Sequence, residues 1–266
     1  MIWDTHMHTN FSGDSDASPE SMAEKAISLG LSGVCITDHL DYDYPDEPET
    51  FLLDVENYVP EILNLQKKYE DRLPISLGIE LGLQPHLADK HRALLEQYSF
   101  DFVIGSSHVV HGIDPYYPAY YENRTEAAAY REYFESILEN ILAFDGFDIY
   151  GHIDYVVRYG PNKNADYSYR KYQDIIDEIL KTLIEKGKGI ELNTSGFKYG
   201  LGHPNPTEDI IRRYRELGGE IITIGADGHR PEHIAYDFEK VPGILKSCGF
   251  DYFTVFQNRT PQFISI

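Results

Sequence analysis

The chain has 266 residues, 44 acidic against 23 basic side chains, and a net charge of −21. Such an excess of carboxylates argues against a nucleic-acid partner, because surfaces that bind polyphosphate backbones are basic. With no apolar run of membrane-spanning length, no secretory leader and only the distant Cys35 and Cys248, the expectation is a cytoplasmic protein with two buried thiols and no membrane association.

In chain order, the first element is a short apolar opening that runs into Asp4-Thr5-His6-Met7-His8-Thr9. Side chains alternate along a strand, so His6 and His8 share a face about 7 Å apart along the strand, a spacing that suits one metal ion. Further short β-branched runs follow. Gly33 to Thr37 leads into Asp38-His39, Ile75 to Ile79 into Glu80, and Phe102 to Ser107 into His108. Phe147 to Gly151 leads into His152-Ile153-Asp154, Gly189 to Leu192 into Asn193-Thr194-Ser195-Gly196, and Glu220 to Ala226 into Asp227-Gly228-His229. Nearly every run delivers a potential metal ligand at its carboxyl end.

Helical stretches lie between these runs. Pro19 to Leu29 opens with a Ser18 cap and a proline at its first position, and stops before Gly30. Val55 to Tyr69, Ala88 to Tyr98, Thr125 to Phe144, Tyr169 to Lys186, Thr207 to Leu217 and Pro231 to Lys246 follow. Strand and helix therefore alternate with a repeat of roughly thirty to forty-five residues, which predicts an α/β fold with a parallel sheet. Chemistry at the carboxyl end of so many strands favours a closed barrel, because an open doubly wound sheet concentrates its site at one switch point. No linker or low-complexity tract divides the chain, so residues 1–266 are expected to form one barrel domain. The stretches Asp41 to Phe51 and Gly112 to Asn123 read as loops covering the site.

These motifs, in this order, resemble those of the PHP (polymerase and histidinol phosphatase) superfamily. The resemblance rests on Asp4-Thr5-His6-Met7-His8-Thr9, Thr37-Asp38-His39, Gly78-Ile79-Glu80, His108, Gly151-His152-Ile153-Asp154 and Asp227-x-His229. Ser12-Gly13-Asp14, Gly105-Ser106-Ser107-His108, the run from His152 to Gly160 and Glu191 to Gly196 are similar to its histidinol-phosphate phosphatase branch. Asp14 marks that branch, since many other PHP proteins place a histidine there. The resemblance implies a distorted (β/α)7 TIM-like barrel with a trinuclear metal centre at the carboxyl ends of the strands. By position, His6, His8, Glu80 and Asp227 would hold one ion. Glu80 would bridge to a second ion bound by His108 and His152, and Asp14, His39 and His229 would hold the third. Imidazole and carboxylate donors suit zinc, iron or manganese. Three divalent ions against three ligating carboxylates leave about three positive charges, enough to attract a phosphate dianion despite the acidic exterior.

The expected chemistry is attack on phosphorus by a metal-bound hydroxide, with no covalent intermediate. Arg158 and Lys198 are the candidate phosphate clamps, although the family often has arginine where this chain has Lys198. Asp154 shares a face with His152 and either orients a ligand or serves the leaving group. Asp38 should face away from its neighbour His39, so it is expected to support the ligands from behind or act structurally rather than bind metal. His86, His91 and His233 read as surface residues, whereas His111 and His203 are candidates for touching substrate. The pairs Tyr116-Tyr117 and Tyr120-Tyr121 are candidates for an imidazole pocket, although loop packing alone would account for them. Ala226 and Gly228 stand where the family usually has serine and alanine, with no consequence for the flanking ligands.

The expected activity is hydrolysis of a small-molecule phosphate ester, L-histidinol phosphate, in histidine biosynthesis. The rival reading is a phosphoesterase of the same superfamily acting on nucleotides, sugar phosphates or phosphotyrosine, since members share a metal centre and differ in their loops. A non-catalytic barrel is disfavoured, because degenerate domains lose ligands and every expected ligand is present.

Overall fold

The computed structural model describes residues 2–45 and 47–266, so Asp46 of the first expected site loop lies outside the described residues. The strands are β1 (Trp3–Asp4), β2 (Gly33–Ile36), β3 (His39–Leu40), β4 (Ile75–Gly82), β5 (Phe102–Ser106), β6 (Ile149–Tyr150), β7 (Gly189–Asn193), β8 (Ile222–Gly225), β9 (Tyr252–Gln257) and β10 (Thr260–Ser265). The helices are α1 (Pro19–Ser28), α2 (Val55–Tyr69), α3 (Ala88–Gln97), α4 (Glu126–Ala143), α5 (Gln173–Glu185), α6 (Ser195–Lys198), α7 (Glu208–Glu216) and α8 (Val241–Ser247).

The sheet runs β1-β2-β4-β5-β6-β7-β8 and all its pairings are parallel. β3 pairs with β4 beyond β2, His39 opposite Glu80, so β2 and β3 are one barrel position broken at Thr37-Asp38. The break has a cause. The Thr37 N–H bonds to the Met7 carbonyl at 2.9 Å, which pulls the chain towards the first strand. Closure comes from the segment after β1: Thr5 N–H donates to Ile224 O at 2.9 Å, and Met7 bridges Gly228 in parallel register. The result is a distorted (β/α)7 barrel. Its strands are buried on both faces, as a sheet sandwiched between barrel interior and helices requires.

Local signals place the helices. Ser18 Oγ accepts from Ser21 N at 3.1 Å, and Thr125 Oγ1 from Ala128 N at 3.2 Å, each satisfying an N-terminal amide. Three expectations need correcting. Pro231 to Lys246 is two short 3-10 turns followed by α8, because Ala235 and Asp237 take positive φ (52° and 56°). Asp4 Oδ2 pins that bend by accepting from Ala235 N at 2.9 Å.

The second correction is His91, which is fully buried rather than on the surface. It belongs to the inner face of α3 with Ala88 and Leu94 and packs between Tyr42 and Phe144, at ring distances of 5.5 and 5.4 Å. His233, also expected at the surface, is half-buried, whereas His86 is exposed. The third is the antiparallel hairpin β9–β10, which the pattern reading did not anticipate. Its turn is Asn258-Arg259, both at positive φ (47° and 62°) as a two-residue type I′ connection needs. β9 crosses the amino end of the barrel. There Thr254 Oγ1 accepts from Ile222 N at 3.2 Å and Phe256 stacks on Phe102 at 5.1 Å.

Candidate metal centre

At the opposite, carboxyl end, nine histidine and carboxylate side chains converge. Glu80, near the end of β4, is their hub and is fully buried. Its Oε2 lies 2.9 Å from His39 Nδ1, 3.2 Å from His6 Nε2 and 3.6 Å from His8 Nε2. Its Oε1 lies 3.0 Å from His152 Nε2 and 3.4 Å from His108 Nε2. His6 and His8 do share a face: their Nε2 atoms are 3.1 Å apart, with Asp227 Oδ1 at 4.0 and 3.5 Å. Asp227 follows β8 in the left-handed region (φ 53°), its N–H held by the His6 carbonyl at 2.9 Å. Asp14 stands at the mouth, with Oδ2 2.9 Å from His229 Nε2 and 3.9 Å from His39 Nε2. Gly13 lets it do so, since a Cβ there would sit 2.0 Å from the Thr50 carbonyl.

Behind these atoms lies a second layer, in which the sequence pointed to Asp38 but not to Glu191, Asp41 or Ser106 as supporting groups. Glu191 Oε1 accepts from His6 Nδ1 at 2.7 Å and its Oε2 from the His152 amide at 3.0 Å. Gly225 leaves room for it, because a Cβ at 225 would lie 2.2 Å from Glu191 Oε1. Asp41 Oδ2 contacts His108 Nδ1 at 2.7 Å, and Ser106 Oγ donates to Glu80 Oε1 at 2.6 Å. Ser12 Oγ contacts His8 Nδ1 at 3.3 Å and donates to Asp38 Oδ1 at 2.6 Å. Asp38 also accepts from the Thr9 amide and hydroxyl at 2.6 and 2.8 Å, so it shapes the loop that carries Asp14. One signal for Glu191 was available: a lone carboxylate in the apolar run Gly-Ile-Glu-Leu is rarely buried without a partner.

A cation fits this donor set. Each of His6, His8 and His108 has its Nδ1 occupied by a carboxylate or hydroxyl, which aims Nε2 inward, the arrangement typical of metal-bound imidazole. Glu80 Oε2, His39 Nδ1 and His229 Nε2 are buried without an aligned hydrogen bond among the described residues. Among the described residues, four groups of three donor atoms lie close enough together, within 4.8 Å of one another, to hold an ion: His8-His39-His229, His6-His8-Glu80, His39-Asp41-His108 and Glu80-His108-His152. The electrostatics agree. Burial opposes charge on Glu80 and Asp227, yet His6, His108 and His39 around the first, and Arg158 and His8 beside the second, hold both carboxyls well below their usual range. Both are therefore available as anionic donors.

The model of the PHP domain family matches residues 4–195. The chain belongs to the PHP domain family. Its relatives extend the match over nearly its whole length. A probable histidinol-phosphatase of Clostridium acetobutylicum is 32% identical over 94% of each chain. The histidinol-phosphatase of Lactococcus lactis is 31% identical over 95% of this chain and 93% of its own. The crystal structure of the Lactococcus histidinol phosphate phosphatase, complexed with zinc, L-histidinol and phosphate, superposes with a TM-score of 0.91, 30% identity and 98% coverage of both chains.

In this PHP chain a cavity opens over the cluster. Its walls include Asp41, Tyr44 and Phe51 from one expected loop, Asp114 from the other, and Tyr155, Tyr159, Tyr199 and Arg158. Tyrosines therefore do line it, but not the pairs singled out from sequence. Tyr120 and Tyr121 are buried in loop packing, bonded to the Ala129 and Val156 carbonyls at 2.9 and 3.1 Å. Tyr116 packs edge-on to the Tyr159 ring at 5.2 Å, outside the cavity wall.

Arg158 is buried and reaches the site, donating to Asp227 Oδ2 at 2.9 Å. Burial disfavours its charge, but Asp227 keeps it protonated. Lys198, at the end of α6, lies just behind, donating to the Asp227 carbonyl at 3.2 Å. Asp154 is fully buried away from the cavity wall, its oxygens taken by Asn205, Tyr167 and Thr207. His111 is on the outer surface between Glu132 and Glu139, and His203 contacts the Pro204 carbonyl at 2.7 Å; neither lines the cavity.

Proposed function

We propose that this protein hydrolyses L-histidinol phosphate to L-histidinol and phosphate, in histidine biosynthesis. The observation that carries the reading is a near full-length likeness to an enzyme solved with zinc, L-histidinol and phosphate, in a chain whose own cavity floor is a histidine–carboxylate cluster. Three divalent ions, zinc, iron or manganese, would be held by His6, His8, Asp14, His39, Glu80, His108, His152, Asp227 and His229. When bound, such ions neutralise phosphate charge and lower the pKa of water to near neutrality. The protein's own groups do the rest. Arg158 supplies a fixed cation for the phosphate oxygens, with Lys198 adding charge from behind the Asp227 carbonyl. Tyr155, Tyr159 and Tyr199 offer faces and hydroxyls to an imidazole, while Asp41 and Asp114 offer negative charge to an ammonium group. A nucleotide or a sugar phosphate lacks that cationic end.

Among the described residues, no helix is long and apolar enough to cross a membrane. We place the protein in the cytoplasm, with Cys35 and Cys248 free and buried. The deciding measurement is kcat/KM of metal-replete protein across a panel of phosphomonoesters. Histidinol phosphate should exceed AMP, glucose phosphate and p-nitrophenyl phosphate by at least about a hundredfold, the discrimination expected when buried polar groups must find partners. Equal values across the panel would transfer the assignment to the broader PHP phosphoesterases.

A further inference from the structure

We propose that Asn205, Asn193 and Asp154 are positioning residues for phosphate binding: two buried side-chain amides hold Arg158 in place without neutralising it, and Asp154 anchors the first of them. The proposal rests on the phosphomonoesterase reading above. Arg158 Nε donates to Asn205 Oδ1 at 2.9 Å and Nη2 to Asn193 Oδ1 at 3.4 Å. Its Cζ lies 5.3 and 5.0 Å from the centres of the Tyr155 and Tyr199 rings. Of its five N–H groups, three are engaged when Asp227 is included. The other two have no partner among the described residues, and the side chain borders the cavity.

The amides are themselves fixed. Asn205 Nδ2 donates to Asp154 Oδ1 at 2.5 Å, and Asn193 Nδ2 to Glu191 Oε2 at 3.0 Å. Guanidinium only donates and carboxylate only accepts, so a single orientation of each amide satisfies both sides. The two asparagines are also joined through reciprocal backbone bonds of 2.8 and 2.9 Å. Asp154 Oδ2 accepts from Thr207 N and Tyr167 OH, both at 3.1 Å, which ties the assembly to the body of the protein.

The physical advantage lies in the neutral spacer. Asp227 already lies against Arg158 at 2.9 Å, and a second carboxylate there would align the guanidinium but cancel the charge a phosphate needs. An amide aligns it and leaves the charge available. Among the described residues, the sole ion pair of Arg158 is with Asp227, a carboxylate that also faces His8 and His229. Glu191 serves both systems, supporting His6 on one oxygen and Asn193 on the other.

The test is calorimetric binding of inorganic phosphate to metal-loaded protein, which requires no assumption about the organic substrate. Asn205→Ala should raise the phosphate Kd roughly tenfold or more, the usual effect of removing a hydrogen bond to a charged group. Metal content and L-histidinol Kd should change less than about threefold, within the scatter of independent sites. In an Arg158→Lys background, which lacks Nε, Asn205→Ala should have no further effect on phosphate. Asp154→Asn keeps the shape and one acceptor, and should weaken phosphate by a smaller factor. The proposal is overturned if phosphate Kd is unchanged in both single variants, or if Asn205→Ala costs as much beside lysine as beside arginine. Should histidinol phosphate prove not to be hydrolysed while these phosphate effects appear, the substrate assignment fails and the cradle stands.

Discussion

Glu80 places one buried negative charge among five imidazoles, and that concentration sets what each residue change should do. A carboxylate touching two groups of ring nitrogens with its two oxygens is suited to bridging ions. Glu80→Ala should therefore empty two sites together, leaving about one metal equivalent. Asp14 is two-fifths exposed and, among the described residues, pairs with His229 and His39 alone, so Asp14→Ala should lose a single equivalent. Elemental analysis of both variants after growth in metal-rich medium decides the matter; full occupancy in each would show that the ligand sets are wrong. Glu191→Gln belongs to the same scale. The glutamine keeps the shape but removes the charge behind His6, and loss of such an outer partner should cost ten- to a hundredfold in metal affinity.

Helix α3 and the hairpin β9–β10 show what a whole element contributes. His91 lies on the buried face of α3, and burial pushes its pKa down to about 4. The folded protein therefore binds fewer protons there than the unfolded chain. Its stabilising contribution is complete above pH 6.5 and is lost as pH falls towards 4. Replacing it with phenylalanine should make unfolding less acid-sensitive, with a relative gain of about 2 kcal/mol between pH 7 and pH 5. Denaturant titrations of both proteins at the two pH values measure this, and parallel pH profiles would contradict it. The hairpin acts at the far end of the barrel. Phe256 fills the amino-end layer against Phe102, Cys35 and Ile104. Its truncation to alanine should cost about 3–5 kcal/mol of stability through the cavity left behind. KM should not move, since the cavity over the histidine–carboxylate cluster lies at the opposite end.

Across the whole molecule, the acidic exterior opposes the phosphate binding proposed for the histidine–carboxylate cluster. A net charge of −21 repels anions, so on the proposed function nearly all attraction for a phosphate would come from the proposed ions and from Arg158 and Lys198. Strong chelation should abolish turnover and also lower Tm, because ligands that bind only the folded state stabilise it. Restoring the ions should restore both. A chelated protein that kept its Tm and activity would argue against a resident metal centre.

Periodicity and ligand chemistry were readable along the chain. Short β-branched runs ending in histidine or carboxylate, spaced by capped helices, implied parallel strands with their chemistry at one end, because alternation within a strand is a local property. Capping at Ser18 and Thr125 is local too, and those helices start where their caps are. Other features depend on partners distant in sequence. Asp4 breaks the expected helix after Pro231 by accepting the Ala235 amide, and no local pattern reports a bond across 231 positions. His91 looked polar and exposed because its burial is decided by Tyr42 and Phe144 on other elements. The tyrosines of the cavity were chosen by how loops pack, which assigned Tyr120 and Tyr121 to the interior and Tyr155 and Tyr199 to the wall. Asp154 and Glu191 were visible as residues, but their duties were not. A carboxylate's role is set by which donors the folded chain brings to its two oxygens, and only the closed barrel brings Asn205 to one and His6 to the other.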